Sequence, residues 1–412
     1  MKVNFISEDI FEEFAKNHRY RNFYQTKEYG NIFKNINFNY QVAYIGIIND
    51  EQKLIGASLI LYKKEFMSKK IAYAPRGILI NYENYDNIKE MSKKLYKFLS
   101  KQGFMTLTID PYIPLSVRDA SGNIINYNQS STEIIDNIKK IGFNYVGKNL
   151  FFETEKPRWE ALIILNKNPN NLFSNFDKMT RRKIRKASNS GINIYKDKEK
   201  NITKLYNLLS KKSARPLSFY KELIASFKDN IDIYYAKLDT EEYLIKSRKM
   251  YEKEVDYNNM LADQIQDISL DEKERQLILN KKLESDKLVT SYKDSMISST
   301  NLIKDNPEGI IIAGAIVIKY DNAAFIYEEG RNDNYSNIYP LHLIKWQMIN
   351  DYFEQKFKYI NLNGIAGEFE NKHEFSGLNE IKLGFNPIVT EYIGEFNIVL
   401  DKITNKIYES LK

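Results

Sequence analysis

No cysteine occurs in the 412 residues, which excludes disulfides, thiolate metal sites and a cysteine nucleophile together. The three histidines, His18, His342 and His373, stand far apart without ligand spacing, so no metal site is expected. Helix-interrupting residues are missing from one long stretch: no glycine lies between Gly191 and Gly309, and no proline between Pro216 and Pro307. Long apolar runs are missing too. The longest, Ile310 to Ile318, is broken by Gly314 and falls well short of the ~20 residues that span a bilayer. The N-terminal MKVNFISEDIFEEF has acids where a secretory leader would be apolar. These absences lead to the expectation of a soluble, cytoplasmic protein.

What is present suffices for packed cores. Hydrophobic residues make up 43% of the chain, and its length suits about two or three domains. The 61 basic residues interleave with 54 acidic ones, and the net charge of +7 mildly favours an anionic partner such as a nucleic acid, a nucleotide or an acidic membrane surface.

Residues 1–150 read as mixed α/β. Phe11 to His18 forms a helix, Tyr40 to Ile48 and Lys53 to Tyr62 form strands, and the amphipathic helix Lys89 to Gln102 leads into a strand, Met105 to Ile109, that stops at Asp110-Pro111. A second α/β block covers 151–240 and resumes at 304–412. In it Ile310 to Tyr320, Ala323 to Tyr327 and Tyr359 to Leu362 are strands, and His342 to Lys356 is a helix. The interruption, 241–303, is dense in charge with apolar residues at near-helical spacing. Leu244, Tyr251, Val255, Leu261, Ile265 and Ile268 mark one seam, and Leu279, Leu283, Leu288, Tyr292, Met296 and Ile303 the other. Ser269 and Glu272 have the spacing of a capping box between them. Two antiparallel helices of this length make an inserted coiled-coil arm about 40 Å long.

An internal repeat ties the blocks together. Ile55-Gly56-Ala57-Ser58-Leu59-Ile60-Leu61 resembles Ile312-Ala313-Gly314-Ala315-Ile316-Val317-Ile318. Thr106 to Pro111 occupies the slot of Tyr359 to Gly364, and Ile141 to Asn144 is echoed by Leu383 to Asn386. Three matches in one order argue for two copies of one α/β domain.

The motifs resemble those of the Fem (FemA/FemB/FemX) family. Gln25-Thr26-Lys27-Glu28-Tyr29-Gly30 matches its opening motif, Tyr73-Ala74-Pro75-Arg76-Gly77 its arginine turn, and Leu107 to Pro111 its strand ending in Asp-Pro. Thr180 to Ala187, Asn363 to Gly367, Ile381 to Phe385 and Glu391 to Phe396 complete the set. The resemblance implies an α/β (α+β) chain with two acetyltransferase-like (GNAT) domains, and an arm like that of seryl-tRNA synthetase inserted in the second. It implies transfer of an amino acid from aminoacyl-tRNA to an amine on the stem peptide of lipid II or UDP-MurNAc-pentapeptide. Peripheral contact with the inner membrane face follows if the acceptor is lipid-linked. No Arg/Gln-x-x-Gly-x-Gly/Ala run is present to hold a pyrophosphate, so neither coenzyme A nor another cofactor is expected. An amine of another peptide or protein is the alternative acceptor, and a decayed, purely binding protein the alternative class.

Ester aminolysis needs a neutral amine, removal of its proton and stabilisation of an oxyanion. Asp110, at a strand end, suits the first two tasks, against the plain alternative of a turn-forming Asp-Pro. By resemblance Lys382 neutralises negative charge. Arg215, Tyr220, Tyr327, Lys34 and Arg76 are the substrate-binding candidates on the same basis. Arg181, Arg182, Lys183, Arg185 and Lys186, on one expected helix, form a candidate tRNA contact.

Overall fold

The computed structural model describes residues 1–36, 39–209, 215–267 and 271–411. Two sheets form the body. The first orders its strands Lys2–Phe5, Gln41–Ile48, Leu54–Lys64, Lys70–Ala74, Phe104–Ile109, Phe396–Val399 and Asn144–Tyr145, with Leu79–Ile80 off the path. The second runs Ile192–Lys196, Ile231–Leu238, Ile310–Tyr320, Ala323–Arg331, Tyr359–Gly364, Trp159–Ile164, Ile388–Tyr392, Pro114–Arg118 and Ile124–Tyr127.

Among the described residues each sheet contains a single parallel pair, fifth strand on fourth: Lys70–Ala74 with Phe104–Ile109, and Ala323–Arg331 with Tyr359–Gly364. Parallel neighbours need a crossover, here the helices Tyr85–Lys101 and Pro340–Glu354. The first shows why the sequence folds so. Asn84 caps it, and Ile88, Met91, Leu95 and Leu99 recur at helical spacing on its buried face. Neighbour senses agree strand by strand over the first seven positions of both sheets, the acetyltransferase-like arrangement that the repeat and the family resemblance imply. Thr106 and Tyr359 begin corresponding stretches, so Asp110 and Asn363 stand at matching strand ends.

The expected division at residue 150 does not follow the sheets. Pro114–Arg118 crosses into the second sheet to pair with Ile388–Tyr392, and Phe396–Val399 returns to the first to pair with Phe104–Ile109. A shared apolar core adds to the exchange, with Phe23, Tyr29 and Phe33 from one half meeting Phe219, Phe227 and Phe325 from the other. Local periodicity could not reveal either feature, because the pairing partners are hundreds of residues apart.

The inserted segment forms two helices, Thr240–Ile265 and Glu272–Asp305, packed antiparallel. Their base is closed by the Thr240 hydroxyl, which donates to the Asn306 carbonyl at 2.7 Å. The capping box is made by Asp271 and Glu274; the expected cap Ser269 and the seam residue Ile268 lie outside the described residues. The seam differs from expectation on the second helix. Leu279, Leu283 and Leu288 are exposed, while Ile278, Lys282, Ser285 and Val289 face the partner helix. A polar layer sets this phase: Ser285 Oγ donates to Glu254 at 2.7 Å, and Asn258 donates to Ser285 at 3.2 Å and Asp286 at 2.8 Å. Buried hydrogen bonds of this kind fix register at some cost in apolar packing. Among the described residues no helix is long and apolar enough to cross a membrane.

Candidate active site

The strand Phe104–Ile109 ends where its parallel neighbour turns away, and Asp110 fills the gap. Its carboxylate accepts from the Arg76 backbone N–H at 2.6 Å and from the Tyr73 hydroxyl at 3.0 Å. Burial pushes the Asp110 carboxyl up to about 6, against the opposing pull of Arg76. Phe396 pairs with Ile109, so Glu395 stands opposite Asp110, one step past the end of that ladder. Glu395 is pushed up to about 7 by burial and by the negative charge of Asp110. Lys156 faces the same space, its ammonium 4.1 Å from the centre of the Tyr24 ring. Burial and the nearby Arg215 lower it to about 8, while Asp110 works the other way.

Beneath this cleft lies Glu160, on Trp159–Ile164. It accepts from Arg76 at 2.6 Å, Asn361 at 2.7 Å, Tyr392 at 3.0 Å and Tyr112 at 3.3 Å. Arg76 is therefore committed to the interior: its guanidinium also donates to the Pro157 carbonyl at 2.9 Å and lies beside the mutually stacked Tyr112 and Tyr392 rings, 5.3 and 5.0 Å from their centres. It was expected to touch substrate. Buried at 2% exposure, it instead positions Asp110 and Glu160.

Lys382, on Ser376–Leu383, is buried and donates to the Gly364 carbonyl at 2.7 Å. Gly364 pairs with Glu160 across the sheet, so the lysine approaches the cleft floor from below. Burial lowers Lys382 to about 8, against the attraction of Glu329. A neighbouring ion pair, Lys345 with Glu329 at 2.5 Å, supplies that carboxylate.

The third cluster forms the opposite wall. Arg215 lies over the Phe219 ring at 4.5 Å, and Phe219 stacks on Tyr327. Tyr220 is buried: its hydroxyl donates to Glu328 at 2.5 Å and accepts from the Arg215 backbone N–H at 3.2 Å. Tyr220 thus positions Arg215, and Phe219 holds the place facing Tyr327. Burial pushes the Tyr327 hydroxyl up to about 12, and it lines a small cavity with Tyr24, Glu160 and Asn363.

Asp110, Arg215, Tyr327 and Lys382 therefore converge around Lys156 and Glu160. Lys34 does not: it is exposed on Lys27–Asn35 and paired with Glu8, over the Tyr44 ring. The basic helix Lys178–Ser188 lies beside the Lys382 helix, where the Asp177 N–H donates to the Gly384 carbonyl at 3.0 Å. Lys183 is paired with Glu380 at 3.0 Å and Arg181 donates to the Ser174 carbonyl, whereas Arg182, Arg185 and Lys186 are exposed, Arg185 lying over the Phe173 ring and Lys186 over the Tyr339 ring, each at 5.5 Å. Sequence reasoning missed three residues of the cleft. Glu160 had a signal, a lone charge inside an apolar strand; Glu395 lay within a family motif; Lys156 had none.

Two acetyltransferase-like halves, with carboxylates and lysines gathered at splayed strand ends, define a transferase of acyl groups. The chain belongs to the FemAB family, whose sequence model matches residues 6–412. It is 24% identical over 424 residues to an aminoacyltransferase FemA of Staphylococcus epidermidis, covering 100% of this chain and 99% of that one. Identity to an aminoacyltransferase FemA of Staphylococcus aureus is 22% over 420 residues, covering 100% and 98%. A crystal structure of FemX superposes with a TM-score of 0.71 at 17% identity, covering 99% of this chain and 100% of that one.

Proposed function

We propose that this protein transfers an amino acid from an aminoacyl-tRNA to an amine on the stem peptide of a peptidoglycan precursor, lipid II or UDP-MurNAc-pentapeptide. The observation that carries the reading is the meeting of Asp110 with Lys156 and Arg215 at one strand end. An acceptor ammonium placed at Asp110 is held by charge and hydrogen bonding. Both Asp110 oxygens are already engaged, so this carboxylate orients the amine, while the opposed Glu395, titrating near neutrality, shares the proton load. Arg215 and Lys156 suit the phosphate or carboxylate groups of a precursor. Lys382 lowers the cost of negative charge developing on the ester oxygen through its own positive charge, held beneath the cleft floor by its hydrogen bond to the Gly364 carbonyl.

The exposed cations Arg182, Arg185 and Lys186 are the proposed contact to the tRNA phosphates. Contact with the inner membrane face follows only for a lipid-linked acceptor. No coenzyme or metal enters the scheme. The test is incubation of the protein with lipid II or UDP-MurNAc-pentapeptide and a full set of charged tRNAs, weighing the products. A precursor heavier by one aminoacyl residue is expected. An unmodified precursor alongside a modified peptide or protein amine would move the reading to another acceptor.

A further inference from the structure

One motif is still without a task. Gln25 opens the run Gln25-Thr26-Lys27-Glu28-Tyr29-Gly30, yet its side chain is fully buried. The reason lies in a gap in the first sheet. Leu54–Lys64 pairs with Leu79–Ile80 up to Ala57 and with Lys70–Ala74 from Leu61 onward. The chain between those two partners turns away, so among the described residues Leu59 has no strand partner on that side. The Gln25 amide takes the empty rung. Its Nε2 donates to the Leu59 carbonyl at 3.1 Å, and its Oε1 accepts from the Leu59 N–H at 2.9 Å and from the Ser58 hydroxyl at 3.3 Å. Nε2 also donates to the Pro75 carbonyl at 2.8 Å, inside the turn that leaves the sheet. Both donors and both acceptor positions of the amide are then in use.

That turn needs holding. Arg76 has a φ of 54°, a left-handed conformation that a residue with a Cβ keeps only where its surroundings impose it. In this conformation the Arg76 N–H reaches the Asp110 carboxylate at 2.6 Å, while the Gly77 N–H closes the turn on the Ala74 carbonyl at 3.0 Å. Gly77 has no room for a side chain: a Cβ there would lie 2.6 Å from Ser58 Oγ and 2.9 Å from Gln25 Nε2. Gln25 thus meets the turn twice, by a hydrogen bond at Pro75 and by close contact at Gly77. The other groups acting on Asp110 come from elsewhere. Tyr73 lies on Lys70–Ala74, Lys156 on the segment before Trp159–Ile164, and Glu395 just before Phe396–Val399. The hydrogen bonds of Gln25 go to none of them, so a change at residue 25 reaches Asp110 through the turn.

We infer that Gln25 is a positioning residue of the acceptor site: it pins the turn Ala74–Gly77 and so keeps the Arg76 N–H on the Asp110 carboxylate. The inference rests on the reading of Asp110 as the group that meets the acceptor amine, but its main test does not. That test follows the Asp110 carboxyl carbon by NMR against pH, in carbon-13-labelled full-length protein without tRNA or precursor. The signal is assigned by its absence from Asp110→Asn. Glu395→Gln serves as the background, so that the opposed carboxyl does not share the titration. Gln25→Met keeps the length of the side chain and removes its hydrogen bonds, and Gly77→Ala pushes the amide off the turn. Each should raise the Asp110 midpoint by about one pH unit, because the charged form loses an N–H donor. Ser58→Ala, which removes the longest of the Gln25 contacts, should leave it in place. With Glu395 intact, the acidic limb of kcat/KM should move up in both variants while the basic limb stays. Should Gln25→Met fail to fold, Gly77→Ala carries the test. A folded variant with an unmoved Asp110 midpoint would overturn the proposal, as would an activity loss equal at every pH. A wild-type protein that modifies no precursor would instead count against the functional reading, and the titration would still decide the role of Gln25.

Discussion

Arg76 and Glu160 meet at 2.6 Å beneath the cleft, their side chains 2% and 7% exposed, Arg76 in the turn after the first sheet's strand Lys70–Ala74 and Glu160 within the second sheet. The pair does more than join the halves. Arg76 presents its backbone N–H to Asp110, and Glu160 gathers Tyr112, Asn361 and Tyr392 around the floor. One buried network therefore ties the proposed site to the join between the halves.

Breaking that pair from one side should be costly. Arg76→Met leaves Glu160 and Asp110 buried without their cation, and about 3–5 kcal/mol of stability should disappear. Adding Glu160→Leu should recover part of it, because one of the two uncompensated charges is then gone. Denaturant unfolding of the two variants checks the order.

The pH dependence should be bell-shaped. Asp110 and Glu395 are raised to about 6 and about 7, so kcat/KM should rise with pH through that range as the pair loses its protons. Lys156 and Lys382 are lowered to about 8, so the rate should fall above that pH as their charges disappear. Asp110→Asn should reshape the acidic limb and leave the basic one. A profile flat from about pH 5 to 9 would contradict these assignments.

Lys382 and Asp110 should differ in weight. Lys382→Ala removes a buried cation, its neighbour Lys345 being already paired with Glu329, and about 2–4 kcal/mol of transition-state stabilisation, roughly 30- to 1,000-fold in kcat, should go with it. Asp110→Asn keeps the hydrogen-bonding shape and should cost less. A loss of about 100-fold or more in the asparagine variant would instead make Asp110 the principal base. Saturating tRNA and precursor separate both outcomes from weakened binding.

Binding of tRNA should report on the body. Arg182→Glu and Lys186→Glu reverse two outward cations of the Lys178–Ser188 helix, and for every phosphate that is no longer neutralised the slope of log affinity against log salt should become shallower by about 1. Replacing 241–303 by a short linker should leave that slope largely unchanged, since the arm is net negative. Filter binding across a salt series measures both.

Much of the fold is legible in the sequence because it is written in short periods. The strand Ile310–Tyr320 is a nearly continuous apolar run rich in β-branched residues, and the helix Tyr85–Lys101 follows from four apolar residues at helical spacing. The internal repeat alone puts Asp110 and Asn363 in register, and the motifs single out Arg215, Tyr327 and Lys382. Phase along the arm is a different matter. Leu279 and Leu283 have the spacing of a seam, yet hydrogen bonds among Glu254, Asn258 and Ser285 turn them outward.

The sequence by itself determined the elements, their order, the duplication and the family. Only the tertiary structure decided which charges meet. It removed Lys34 to a surface pair with Glu8, turned Arg76 and Tyr220 from contacts into supports, and brought Lys156, Glu160 and Glu395 to the cleft. The physical reason is distance along the chain. Propensity and periodicity act within a few turns, whereas the partner of a buried charge is set by which strand ends the exchanged sheets bring together, 84 residues apart for Arg76 and Glu160.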